Sequence, residues 1–127
     1  MMQSFNITAQ NLSDYRWKNR VLVLFENDSN SKKLNNTLNT IKKNTAEFKE
    51  RDLLVFIYTD ELFFDINGKA TNLKNSTTLP KSHDGYILIG KDGGIKATEP
   101  YPIQLEKLWD LIDGMPMRKN EMRQKNN

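Results

Sequence analysis

The chain contains no cysteine, a single histidine (His83) and no long apolar run. The missing thiol excludes disulfides, thiol catalysis and thiolate metal sites. The lone His83-Asp84 pair falls short of a metal site, which needs three or more ligands. The longest apolar stretches, residues 21–25 and 53–58, are strand-length and well short of the ~18 residues of a membrane span. A broad basic face is missing too. Residues 1–113 carry fifteen Lys/Arg against fifteen Asp/Glu, so the whole net charge of +3 arises from Arg118, Lys119, Arg123 and Lys125 against Glu121. A nucleic-acid-binding surface spreads its cations over the fold, so the charge pattern argues against nucleic acid as a partner.

What is present fits one soluble domain. A chain of 127 residues is single-domain size and buries enough surface to fold without a staple. Residues 1–10 have neither the charged start nor the apolar core of a signal peptide. Residues 1–10 and 119–127 read as loosely held termini. Five N-x-S/T triplets (Asn6, Asn11, Asn27, Asn35, Asn75) reflect the abundance of asparagine more than glycosylation.

The apolar pattern is that of an α/β domain. Residues 11–18 read as a short turn or helix, with Ser13 as a cap and Trp17 covering the sheet edge. Residues 21–25, VLVLF, form a continuous run expected of a central buried strand. Leu34, Leu38, Ile41, Thr45 and Phe48 then recur at three- and four-residue spacings, predicting one helix of about five turns. Lys32, Lys33, Lys42 and Lys43 lie off that stripe, on a solvated face. Residues 53–58 give a second buried strand, completing a right-handed βαβ unit with parallel strands.

Residues 60–83 are the least readable. Asn67-Gly68 signals a turn, either within a small hairpin or after a short helix from Asp60; an irregular excursion fits the stretch best. Residues 86–89 and 95–98 read as strands joined through a Gly90–Gly94 turn, whose Asp92-Gly93-Gly94 supplies positive φ. Pro102 fits the first turn of a last helix, with Ile103, Leu105, Leu108, Trp109, Ile112 and Met115 as its apolar side. Gly114 and Pro116 end it. The order βαβ then ββα predicts a four-stranded mixed sheet with helices on both faces, the minimal thioredoxin-like arrangement.

Three words, WKNRVLVLF from Trp17, ILIGKDGGIK from Ile87 and LIDGMPMRKNEMR from Leu111, resemble the domain-of-unknown-function 4174 family. The resemblance runs from Leu12 to Arg123. It is similar to small bacterial domains, many of them exported. It also extends to vertebrate extracellular-matrix proteins of the sushi-repeat-containing and coiled-coil-domain-containing 80 types. It implies a thioredoxin-like, peroxiredoxin-related fold, an extracytoplasmic life, no established activity and no catalytic residues to carry over.

Few residues carry a chemical signal. Redox members of such a fold place a cysteine after the first central strand, where a helix N-terminus stabilises the thiolate. Here the place holds residues 26–31, ENDSNS, most simply a helix cap built from Asp28, Ser29 or Ser31, or else a ligand site at the helix start. The redox fold's proline before the third strand is also missing, Asp84-Gly85 standing there. GKDGG lacks the GK[ST] spacing of a phosphate loop, and Asp65-Ile66-Asn67-Gly68 lacks the ligand spacing of a calcium loop. No cofactor motif occurs. The sequence therefore reads as a cysteine-free interaction or structural module. Its expected contacts are Asp28, Ser29 and Ser31 in the loop, and Arg118, Lys119 and Arg123 in the basic tail, the latter suited to an acidic protein, glycan or membrane surface. The alternative is an enzyme of redox-related or other non-thiol chemistry at the same loop.

Overall fold

A computed structural model describes residues 11–74 and 79–125. Residues 1–10, with Asn6, and the Asn75 triplet lie outside the described residues. Strand β1 (Arg20–Phe25) is buried along its whole length. It pairs in parallel with β2 (Leu53–Thr59), Arg20 lying opposite Leu53 and Phe25 opposite Tyr58. Helices α1 (Ser31–Lys42) and α2 (Thr45–Glu50) make the crossover. A two-residue turn, Asp60 and Glu61 both at positive φ, leads into β3 (Leu62–Phe64), antiparallel to the end of β2. Strand β4 (Gly85–Ile89) runs antiparallel to β1 and is joined by a hairpin to β5 (Ile95–Pro100). Helices α3 (Leu105–Asp113) and α4 (Pro116–Lys125) close the chain. The sheet order is β3-β2-β1-β4-β5.

This is an open, mixed α/β sheet, consistent with the expected thioredoxin-like core. It has five strands, not four. The extra one, β3, comes from the stretch whose pattern was least readable; it pairs with β2 and, across the Asn67-Gly68 turn, with the chain that follows, through the antiparallel Phe64–Ala70 bridge and the Asp65 N–H to Lys69 carbonyl and Thr71 N–H to Phe63 carbonyl bonds of 2.9 and 3.0 Å, so the small hairpin considered for Phe63–Ile66 with Lys69–Leu73 is present in part. The Asn67-Gly68 signal holds: Gly68 has φ +85° and donates to the Asp65 carbonyl at 2.9 Å.

Side-chain alternation divides the core in two. Leu22 and Leu24 face Leu34, Ile41 and Phe48 of α1 and α2, and Leu108 and Ile112 of α3. Val21, Val23 and Phe25 face Leu12, Phe63, Leu73 and Leu79. The helical cover is thus lopsided. Helices α1 to α3 pack on one face, while the other is covered by the one-turn 3-10 helix Leu12–Tyr15 and by the excursion between β3 and β4.

Four local expectations are corrected. The single long helix is two, broken at Lys43-Asn44, although the stripe of Leu34, Ile41 and Phe48 stays buried across the break. Asn44 turns its amide back onto the Thr40 carbonyl at 2.7 Å, and its backbone leaves the helical region. Trp17 does not cover the sheet; it is 64% exposed at φ +70°. Ser13 lies inside its 3-10 turn, and Asn11 precedes the turn, donating its N–H to Asp14 at 3.0 Å. Pro102 is not in a helix: Tyr101-Pro102 is a cis peptide, and α3 starts three residues later after Gln104.

The termini differ as well. Gly114 ends α3, but Pro116 opens α4 instead of stopping the chain. Proline suits a first helical position because its missing N–H would have no partner there. Residues 119–125 are therefore helical, not loose.

Candidate functional site

The first place to look is the carboxyl end of β1, where open α/β sheets bind ligands. The loop of residues 26–31 is closed by its own asparagines. Asn30 is buried, accepts from the Asn27 N–H at 2.9 Å, and donates to the Phe25 carbonyl and to Asp84, each at 3.1 Å. The Ser29 N–H and hydroxyl both donate to the Asn27 side chain, at 2.9 and 2.7 Å. Asp28, Ser29 and Ser31 point outward and are exposed. The residue that organises the loop is Asn30, which pattern reasoning passed over; its signal was its place as the last residue before the helix.

Two more groups meet there. The buried Tyr101 hydroxyl donates to the same Phe25 carbonyl at 2.8 Å. Burial, with Glu26 and Asp84 nearby, pushes that phenol well above its ordinary range, so it stays a neutral donor. The His83 Nε2 lies 3.1 Å from the Glu99 carbonyl, and its ring meets Phe25 edge-on. These polar groups are spent on backbone carbonyls. The geometry holds a loop shut and brings no base to Ser29 or Ser31.

The opposite end of the sheet carries the denser chemistry. Four cations, Arg20, Arg51, Lys91 and Arg118, are buried side by side. Arg20 forms a fork onto Glu121, both contacts 3.3 Å, and donates to the Arg51 carbonyl at 2.9 Å. Lys91 reaches Glu121 at 2.7 Å and Asp52 at 2.9 Å. Arg51 grips Asp113 at 2.9 and 3.1 Å, reaches Glu47 at 3.1 Å, and lies 4.2 Å over the Trp109 ring. Arg118 meets Asp113 at 2.9 Å and Glu50 in a short ion pair. Burial alone would raise Asp113 and Glu121, but the cations outweigh it. Arg51 and Arg118 hold the Asp113 carboxyl below its usual range, and Lys91 and Arg20 do the same for Glu121.

This cluster corrects one expected contact. Arg118, read as part of an exposed basic tail, is 1% exposed and committed to carboxylates inside the molecule. Lys119 and Arg123 do face solvent from α4. The correction also explains the three family words. Arg20, Lys91, Asp113, Arg118 and Glu121 all fall within them, so their charged letters spell an ionic fastening. It ties β1, the β4–β5 turn and the α3–α4 corner together.

Two concavities lie nearby. A groove of about 540 Å³ runs along the outer edge of β2 beyond the end of β3, against Ile41, Phe48, Leu53, Val55, Phe56 and Ile66. A cavity of about 330 Å³ sits at the ionic end, between the start of β1, the β4–β5 turn and the α3–α4 corner. Among the described residues no three His, Asp or Glu converge as a metal-ligand set, and no helix is long and apolar enough to cross a membrane.

A closed loop at one end of an open α/β sheet and a fastened corner at the other describe a thiol-free α/β domain. By the match of residues 11–121 to its model, the chain belongs to the family described as domain of unknown function DUF4174. It is also similar to coiled-coil domain-containing protein 80 of Danio rerio, 26% identical over 133 residues, covering 87% of this chain and 15% of that protein. The chain thus spans about one-seventh of the length of that relative. No solved structure matches it.

Proposed function

We propose that this domain is a non-catalytic interaction module built on a thioredoxin-like frame. The reading rests above all on the loop after β1. Where redox relatives of the frame hold a nucleophile at a helix start, this chain has no thiol. Its loop is locked by Asn30 to the Phe25 carbonyl and Asp84. A site that must admit a substrate needs an open donor or nucleophile there. Here the inward groups are bonded to one another, and the outward ones, Asp28, Ser29 and Ser31, are surface contacts. Lys119 and Arg123 offer a second contact face, suited to an acidic protein or glycan.

The experiment is peroxide and disulfide turnover by the purified chain, with and without a thiol reductant. The proposal expects rates equal to the reductant alone. Turnover dependent on the protein and retained in Asp28→Ala and Ser29→Ala would place catalysis elsewhere; turnover lost in either would place it in this loop. Either result overturns the non-catalytic reading.

A further inference from the structure

Strand β2 has an outer edge that its neighbours fill only in part. The Arg20 N–H donates to the Asp52 carbonyl at 2.9 Å and the Glu26 N–H to the Tyr58 carbonyl at 3.0 Å. The even-numbered residues of β2 therefore turn their backbone groups to β1. Leu53, Val55, Ile57 and Thr59 turn theirs outward, since these groups alternate along a strand. Strand β3 serves two of them, with Phe64 opposite Ile57 and Leu62 opposite Thr59. The ladder would next set Ile66 opposite Val55. Instead the chain turns away, the Asp65 N–H donating to the Lys69 carbonyl at 2.9 Å. Among the described residues, Leu53 and Val55 have no backbone partner on this edge.

The edge faces the groove of about 540 Å³, which both residues line. Ile41, Thr45 and Phe48 wall it on the helical side, and Asp65 and Ile66 lie at its end toward β3. Leu53 and Val55 point their side chains to the helical face of the sheet. Natural edges are guarded against pairing by charge, proline or a bulge. Residues 53–56, LLVF, carry neither charge nor proline. An open ladder asks for another backbone, because lipids and small apolar ligands carry no N–H and C=O groups at strand spacing.

We infer that the groove takes an extended peptide of a partner protein, added antiparallel to β2 where β3 leaves it. Two β-branched residues, alternating with polar ones, lie opposite Val55 and Leu53. Their N–H and C=O groups complete the ladder, and their side chains fall on the same sheet face, against Ile41 and Phe48. A second copy is the poorer occupant. Two copies meeting here would share only the short ladder of residues 53–56, a small part of the roughly 800 Å² per partner that a stable interface buries. Each would also drive its own helical wall into the other's. The inference goes beyond the interaction-module reading, whose contacts lie at the 26–31 loop and on α4. It stands or falls separately, since peptide binding here and turnover at that loop are different measurements.

The probe is acetyl-Lys-Thr-Val-Thr-Val-Thr-Lys-amide, titrated into the intact chain and followed by amide and methyl NMR and by hydrogen exchange. Saturable shifts at Ile41, Val55 and Ile66 are expected, with slowed exchange of the Val55 amide. The same peptide N-methylated on both valines keeps its side chains and loses its ladder donors. It is expected to bind at least roughly tenfold more weakly. Absence of saturable binding, equal binding of the N-methylated peptide, or shifts confined to another surface would each overturn the inference. So would a Val55 amide that exchanges, without peptide, as slowly as Leu54 and Phe56, which face β1; the edge would then already be taken, by a second copy or by another part of the chain.

Discussion

Replacing Asp113 by asparagine tests whether the ionic cluster holds the fold. The carboxylate receives three N–H groups: Arg51 Nε and Arg118 Nε on one oxygen, Arg51 Nη2 on the other. Asparagine keeps one acceptor and turns an NH₂ toward a guanidinium donor, so at least one bond becomes a repulsion. The two cations lose their shared counter-charge while remaining buried. Removing one partner of a fully buried pair costs roughly 3–5 kcal/mol, and an exposed pair at most about 1. The Asp113 side chain is 32% exposed, and Glu47 and Glu50 still face the two arginines. The expected loss is therefore about 2–3 kcal/mol. For a domain of this size that is a fall in Tm of roughly 8–12 °C. Urea unfolding should show a lower midpoint with an unchanged slope, and the loss should persist at raised salt because buried pairs are poorly screened. A loss below about 0.5 kcal/mol, the range of ordinary surface substitutions such as Arg123→Ala, would refute the reasoning. So would an effect that salt abolishes.

Three further outcomes follow from the same structure. Gly85→Ala would place a Cβ 1.9 Å from the Glu99 carbonyl oxygen; backbone must move, and a loss of at least about 1–3 kcal/mol is expected in urea unfolding. Asn30→Ala leaves the Asp84 carboxylate without this amide donor and frees the 26–31 loop, costing about 1–3 kcal/mol, with loss of amide protection confined largely to that loop. The pH dependence has a definite sign. Asp113 and Glu121 are held below their ordinary 3.8 and 4.5 in the folded chain. Their contribution is complete above those values and is lost as pH falls through the lower folded ones. Stability measured by denaturant should therefore hold through neutral pH and drop below about pH 4–5, a drop that Asp113→Asn makes shallower.

The framework was legible where one residue's pattern decides its own structure. The all-apolar run of residues 21–25 could only be a buried strand, Gly90–Gly94 could only turn, and Leu108 and Ile112 show a helix face. Legibility ended where distant residues decide. Arg20 looks like a solvated residue before a strand until Glu121, 101 positions away, is placed beside it. Arg118 looks like tail charge until Asp113 and Glu50 surround it. Pro116 carries two meanings, a stop for one helix and the first turn of the next, and only the pairing of Glu121 with β1 and Lys91 selects the second. The loop after β1 was located correctly, but Asn30 differs from its neighbouring asparagines only through contacts with Phe25 and Asp84.

The account rests on α4 being fastened by charge. Its described face buries Arg118 and half-buries Glu121 and Met122, too little apolar surface to dock a helix that is short enough to be marginal alone. Amide hydrogen exchange along residues 117–124 in Glu121→Gln, read against the unaltered chain at neutral pH, tests this most directly. The account predicts that α4 loses its protection while β1 and β4 keep theirs. Protection of α4 equal to that of the unaltered chain would contradict it.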